Sequence, residues 1–270
     1  MTAAGHARRI VTIPADSFLK ALLVPLLIWG VSLVARRWGH TISGWISGLP
    51  LIGGPILVFL AIDLGTEFAA RTAVATLTTV VACAAHCVAF AWIARRFGWS
   101  VSLAGAWLTF ALVAAVTAQF RPPATFAFLI ACVTMVVGVL SLPRSSRMTG
   151  PAPIPGYEIG LRMAAAVVMV IGITAGAEVL GPTWSGVLLS IPIQGSVVPA
   201  FTRALHGHPA TVQVLGGMLT GLIAFNTFFY AAALAVVPLG VTAGFAVAVA
   251  ATVGVTLAVG RARRAGWVRF

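Results

Sequence analysis

The sequence predicts an all-α, polytopic membrane protein with about nine transmembrane helices in two inverted-topology four-helix repeats. The first observation is composition, because 60% of the 270 residues are hydrophobic and only 8% are charged, whereas soluble domains carry about 25% charged residues. The second is a series of apolar runs that fills the chain, and the third is an internal match between its two halves. These features exclude an ordinary soluble enzyme domain, because no long polar region remains to form one.

Apolar runs of membrane-spanning length recur along the whole chain. A helix needs about 20 apolar residues to cross a bilayer, and Asp16 and Ser17 stand before the first run as an N-cap signal. Arg8 and Arg9 precede a polar stretch, which is not the pattern of a cleaved signal peptide. The predicted spans are roughly 19–35, 44–64, 72–94, 100–118, 124–142, 160–180, 184–203, 210–236 and 241–260.

The two halves of the chain match without a gap over about 90 residues at a fixed offset of 142. Matches of proline and glycine carry the argument, because coincidences of alanine and leucine are common in apolar sequence. The matched pairs include Pro50 with Pro192, Gly53 with Gly195, Gly65 with Gly207, Gly98 with Gly240, and Ser43-Gly44 with Ser185-Gly186. The predicted units are a first repeat (1–120), a linker helix with a Pro-rich loop (121–158) and a second repeat (159–270).

The span count sets the relation between the repeats. Four spans plus the linker span make five, so the second copy enters the membrane from the opposite side, as in many secondary transporters. Positive residues prefer cytoplasmic loops, and an external N-terminus places 12 Lys and Arg on the cytoplasmic side against 5 outside. We therefore expect a multi-pass protein of the bacterial cytoplasmic (inner) membrane, with its N-terminus outside and its C-terminus in the cytoplasm.

The second span of each copy has the same short pattern of small residues and proline. Residues 42–50 read ISGWISGLP and residues 184–192 read WSGVLLSIP, with a small residue before glycine and a proline seven residues after the first serine. With a short helix before and two spans after, each unit resembles GlpM, a family of small four-span bacterial inner-membrane proteins. The resemblance covers about 100 residues per half and implies a duplicated, fused GlpM-like protein. It implies no particular substrate.

Proline and glycine in the middle of these spans predict broken helices. Proline removes a backbone donor and disfavours helix before it, whereas glycine permits close approach. Interrupted helices in two inverted halves indicate a binding site at the membrane midplane, and the alternative is a pair of kinked packing helices. Gly53, Gly54, Gly195 and Ser196 are expected to carry the non-helical backbone. The predicted substrate-binding residues are Ser43, Ser47, Pro50, Gly53, Gly54, His86, Ser185, Ser190, Pro192, Gln194, Gly195, Ser196 and Asn226.

A histidine and two cysteines add a second hypothesis. Cys83, His86 and Cys87 fall at i, i+3 and i+4, on one face of the third span. Thiolate and imidazole suit Cu(I) or Zn(II), but the second copy has phenylalanines at the matching positions and buried cysteine is usually an apolar filler. We therefore expect no cofactor, and a Cu or Zn site is the alternative.

The remaining residues narrow the function by what they lack. No carboxylate falls in the middle of a span, which disfavours cation transport, and no hydrolase, metalloprotease or nucleotide-binding motif is present. The sequence predicts a carrier or permease for a neutral or anionic small solute or a lipid head group. The alternatives are an intramembrane enzyme acting on a lipid-linked substrate, or a non-catalytic scaffold. The expected partners are the substrate and membrane lipids, without nucleic acid, and the sequence sets no oligomeric state.

Overall fold

The structure is a computed structural model that describes residues 45, 46, 49–144 and 156–264. Every regular element in these ranges is helical, which confirms the all-α prediction. The predicted first span and the candidate residues Ser43 and Ser47 lie outside them. The helices are α1 (Gly53–Leu64), α2 (Thr66–Ile93), α3 (Trp99–Thr117), α4 (Ala124–Leu140), α5 (Gly156–Leu189) and α6 (Ile193–Arg264).

The two longest helices are interrupted internally. Helix α6 has 72 residues, which as a straight helix would measure roughly 110 Å, far more than the ~30 Å core of a bilayer. The backbone leaves the helical conformation at Gly181 in α5 and at Gly207 and Gly240 in α6. The chain therefore forms successive segments, namely 156–180 and 182–189 in α5 and 193–206, 208–239 and 241–264 in α6.

Glycines in one unusual conformation make the sharpest connections. Gly65, Gly181, Gly207 and Gly240 are the positive-φ residues of the described part, with φ between 70° and 91° and ψ near 180°. That region is essentially open to glycine alone. Gly65 and Gly207 occupy matching positions of the two halves, at φ 91° and 78°. The match at a fixed offset thus extends from residue type to backbone conformation at this pair.

The outer surface has the character of a membrane protein. Three described helical stretches are long and apolar enough to cross a membrane, namely α2, α3 and the range Met163–Arg261. Helices α1 and α4 are shorter and also apolar. Large apolar side chains such as Leu108, Val133 and Leu140 are more than half exposed, as a lipid environment allows. The nine-span count and the repeat stay predictions.

Helix α2 lies at the centre and contacts each of the other five helices. Its sequence is rich in alanine and threonine, whose small side chains let neighbouring helices approach closely. The closest approach is at Gly186, where an added Cβ would lie 2.7 Å from the Thr72 carbonyl oxygen and 2.8 Å from the Thr76 nitrogen. Because these are backbone atoms that cannot yield, only glycine fits, and segment 182–189 is held tightly against α2.

Candidate functional site

Both predicted helix breaks are present in the structure. In the first half, residues 49–52 are non-helical and α1 begins at Gly53. In the second half, α5 ends at Leu189 and α6 begins at Ile193, so Pro192 stands directly before the new helix. Each break ends in a helix N-terminus, and part of its first turn is already paired, because the Gly54 N–H donates to the Pro50 carbonyl oxygen (3.0 Å) and the Ile193 N–H to that of Ile191 (2.9 Å).

The position of the non-helical backbone differs from the prediction. Gly53, Gly54, Gly195 and Ser196 are all helical, so the expectation that they carry the break is wrong. Proline disfavours helix at the residue before it but is tolerated at a helix start. The break therefore includes residues 49–52 in the first half and residues 190–192 in the second, and in both halves the helix resumes in time to include the glycines.

The glycines act in packing instead. An added Cβ at Gly53 would lie 3.1 Å from the Phe229 ring, and one at Gly54 would lie 3.3 Å from the Phe228 ring. A Cβ at Gly195 would collide with the end of Met218. The first turn of each restarted helix is thus packed closely against segment 208–239.

The two breaks line one small cavity, which we call the break cavity. Leu49, Ile52 and Gly53 form one wall and residues 189–194 form another. Cys83 of α2 also lines it. The remaining lining residues are Met169, Met218, Leu222 and Phe225. Its volume is about 50 Å³, which is space for a few water molecules.

Gln194 is the polar side chain that the break cavity leaves without a partner. It is buried and makes no hydrogen bond to the described residues, although an amide offers two donors and an acceptor. Ser190 is already engaged, because its Oγ donates to the carbonyl oxygens of Gly186 (3.0 Å) and Thr76 (3.2 Å). The Ser196 hydroxyl donates to the Pro192 carbonyl oxygen at 2.8 Å. Gln194 is therefore the residue best placed to bind a ligand there.

The predicted face of α2 packs against the second break. The Cys83 thiol donates to the Ser190 carbonyl oxygen at 2.9 Å, and His86 Nε2 lies 3.3 Å from the Gly195 carbonyl oxygen. The Cys87 sulfur lies 4.0 Å from that of Met218. Each side chain thus has a separate partner, and the described part of the chain holds no group of three His, Cys, Asp or Glu residues able to hold a metal ion.

His86 lies behind the break cavity and does not line it. A carbonyl acceptor requires a hydrogen on Nε2, which in the neutral ring leaves Nδ1 as an acceptor. Nδ1 has no hydrogen-bond partner in the described structure, although the ring also interacts with the backbone of Ala106. Trp107 contacts the ring edge-on, with the centroids 6.0 Å apart. His86 therefore fixes the second break from behind and keeps one unused acceptor.

Two other predicted residues are buried away from the break cavity. Ser185 Oγ has no hydrogen-bond partner among the described residues, and the Asn226 side chain interacts with Cys132. Neither Ser185 nor Asn226 lines the break cavity. The structure thus brings Gly53, Ser190, Pro192 and Gln194 together and leaves this pair outside.

A larger apolar cavity begins at the first break. It has a volume of about 490 Å³ and shares Leu49 with the break cavity. From Pro50 and Gly54 it extends along α1 to Val253 and Leu257 in segment 241–264. Its lining is almost entirely apolar, which is the environment that an acyl chain requires.

Sequence reasoning missed Thr76, Met169 and Met218, which support or line the break cavity. A methionine or threonine in an apolar run reads as packing, and no spacing rule marks these three. No protein-family model, no curated protein and no solved structure matches this chain.

Proposed function

We propose that this protein is an integral membrane transporter, a carrier or permease, for a neutral or anionic small solute or a lipid head group. The observation that supports this most directly is the single cavity between the two Pro-broken segments. Interrupted helices in two halves of a membrane protein are the usual construction of a transport site. Gln194 is the side chain in that cavity whose polar atoms are available to a ligand.

The proposal includes nine spans and two inverted four-span repeats. The matching prolines, each at a break, and the shared positive φ of Gly65 and Gly207 support a repeated unit. An inverted pair places equivalent breaks on opposite sides of one central site, so each half can open that site to one face of the membrane.

The chemistry around the break cavity favours a neutral or anionic ligand. Helices α1 and α6 both begin there, and the N-terminus of a helix carries a partial positive charge. No Asp or Glu lines the cavity among the described residues. A buried cation would therefore lack the negative partner it needs.

The small volume of the break cavity has a consequence for the transport cycle. About 50 Å³ holds a few water molecules, whereas small-molecule sites measure ~300–1,000 Å³. The described conformation is therefore a closed one in this proposal, and the two halves must separate at the breaks to admit a solute.

Uptake into proteoliposomes tests this function. Purified protein in liposomes is screened with labelled neutral and anionic solutes, and wild type should accumulate at least one of them. We expect Gln194→Leu to reduce that uptake at least about fivefold, because an amide–ligand hydrogen bond and its desolvation are worth about 1–3 kcal/mol. The matched control is Thr134→Val, whose exposed hydroxyl bonds only to its own helix at Ile130.

Two outcomes contradict the proposal. One is the absence of uptake of any solute by correctly folded wild-type protein. The other is equal uptake by Gln194→Leu and wild type, which would show that the solute does not pass through the break cavity.

The apolar cavity favours one second candidate, an intramembrane enzyme that acts on a lipid-linked substrate. An acyl chain in the apolar cavity would bring its head group to the break at Leu49 and Pro50. The sequence hypothesis of an enzyme relied on His86 as a base. Its Nδ1 has no hydrogen-bond partner among the described residues, but His86 does not line the break cavity. The transporter is preferred because no nucleophile and base meet in the described structure.

A further inference from the structure

A third cavity opens at one end of the helical bundle, and we call it the arginine cavity. Its volume is about 660 Å³, within the range of small-molecule sites. Four parts of the chain form it: the first turns of α2 with Arg71, the α3–α4 connection with Gln119 and Arg121, the glycine turn at Gly181, and Ala233 of segment 208–239. These segments lie far apart in the chain, and no sequence pattern predicted that they would meet.

The charge in this cavity is positive and largely unpaired. Arg71 has one long ion pair, 3.9 Å to the exposed Glu67, and Glu67 does not line the cavity. Arg121 has no ion pair with any described residue. No carboxylate stands among the lining residues. Guanidinium groups match phosphate and carboxylate oxygens in charge and geometry, so the cavity suits an anion.

The floor of the arginine cavity carries a polar group without a partner. Thr79 lines it, is 1% exposed and has no hydrogen-bond partner for its Oγ among the described residues. It lies eight residues along α2 from Arg71, a rise of about 12 Å. A buried hydroxyl without a partner costs free energy, and an anion or its water in the cavity would supply that partner.

The same helix leads from the arginine cavity to the break cavity. Thr79 lines the first and Cys83 lines the second, and residues four apart lie on one helix face about 6 Å apart. Segment 182–189 runs alongside, from the glycine turn at one end to Ser190 at the other.

We infer that the arginine cavity binds the oxyanion of a phosphate-type ligand and delivers it towards the break cavity. Arg71 and Arg121 bind the charged oxygens at the mouth, and Thr79, about 12 Å further along α2, donates from the floor to a water of that anion or to a more distant oxygen of a larger ligand. The delivery step rests on the proposed function, whereas the binding step does not. A free phosphate ester and an anionic lipid head group carry the same chemistry, so the two sources are separated by experiment.

Direct binding tests the inference independently of transport. Purified wild-type protein is titrated with inorganic phosphate in detergent, and in a second arm it is placed in nanodiscs with or without phosphatidylglycerol, with bound lipid counted by native mass spectrometry. Binding of inorganic phosphate shows that a free oxyanion is sufficient as a ligand. Binding of phosphatidylglycerol without binding of inorganic phosphate shows that the ligand is a lipid head group. We expect the double variant Arg71→Gln/Arg121→Gln to weaken the observed binding at least tenfold.

Three single variants separate a loss of the binding site from misfolding, from a general loss of positive charge and from a loss of transport. Thr79→Val should weaken binding with little effect on folding, because the Thr79 hydroxyl has no partner to lose. Arg144→Gln, which removes a positive charge elsewhere, should leave binding unchanged. The Gln194→Leu variant should lose uptake yet keep phosphate or lipid binding. Absence of binding in both arms, or equal binding by the double arginine variant, overturns the inference, whereas the proposed function is judged by uptake alone.

Discussion

Buried polar side chains hold the second break in place at the scale of single residues. Cys83 and His86 reach carbonyl oxygens of Ser190 and Gly195 from α2, and these acceptors belong to a region where proline has disturbed the helical pattern. An unpaired buried carbonyl is costly, so the two side chains stabilise the break. Contacts with the second break thus give Cys83 and His86 a structural role, which the sequence pattern alone did not reveal.

Substitution of His86 tests this role. His86→Phe, which copies the phenylalanine at the matching position 228, should lower stability by about 1–3 kcal/mol because the Gly195 carbonyl oxygen loses its donor. His86→Gln, which keeps an N–H donor, should recover part of the loss. Thermal unfolding in detergent provides the measurement. Equal stability of His86→Phe and wild type would show that the contact contributes nothing.

Glycine turns connect the helices at the scale of elements. Gly65, Gly181, Gly207 and Gly240 join consecutive helices within one or two residues because each adopts a backbone conformation closed to other residues. Gly98 also starts a helix, but at φ −70°, where any residue fits. Matching positions in the two halves are therefore connected in different ways at Gly98 and Gly240.

This pair provides a matched comparison within one molecule. A Cβ at either Gly98 or Gly240 meets no atom within 4 Å, so only the backbone angle distinguishes them. Gly240→Ala, at φ 76°, should destabilise by about 1–3 kcal/mol. Gly98→Ala should be neutral or stabilise by up to about 1 kcal/mol, because alanine restricts the unfolded chain. The measurement is the thermal unfolding temperature of both variants. Equal changes in stability for Gly98→Ala and Gly240→Ala would contradict the assigned backbone conformations.

Basic residues are divided between the two ends at the scale of the whole molecule. At one end Arg203 donates to the carbonyl oxygens of Ala94 and Phe97, beside Arg95 and Arg96, and Trp92 donates to the Ser141 carbonyl oxygen. At the other end the arginine cavity contains Arg71 and Arg121. The first end belongs to the loops that the positive-inside rule assigns to the cytoplasm.

Cysteine labelling tests that orientation across α4. In a Cys132→Ser background, where Cys83 and Cys87 are buried, single variants Arg121→Cys and Arg144→Cys are exposed in intact cells to a membrane-impermeant maleimide. Cys at 121 should label and Cys at 144 should label only after the cells are opened. The reverse pattern would invert the orientation, and labelling of both from outside would show that α4 does not cross the membrane.

The sequence by itself determined the class of the protein and the two helix breaks. These depend on local chemistry, because proline lacks a donor and clashes with the preceding turn whatever surrounds it. Apolar composition likewise requires a lipid surface without reference to any contact. The exact extent of each break was misplaced by a few residues, since Gly53 and Gly195 are flexible by type but are held in helices by their packing.

Only the tertiary structure decided which groups meet. Both breaks line one cavity, and Arg71 and Arg121 share one opening. Cys83 and His86 contact Ser190 and Gly195. Each of these contacts joins segments separated by 50 to more than 100 residues. Such contacts depend on which helix faces pack together, and in an apolar chain nearly every face is a candidate. Closeness of backbones, as at Gly186 against α2, selected among them.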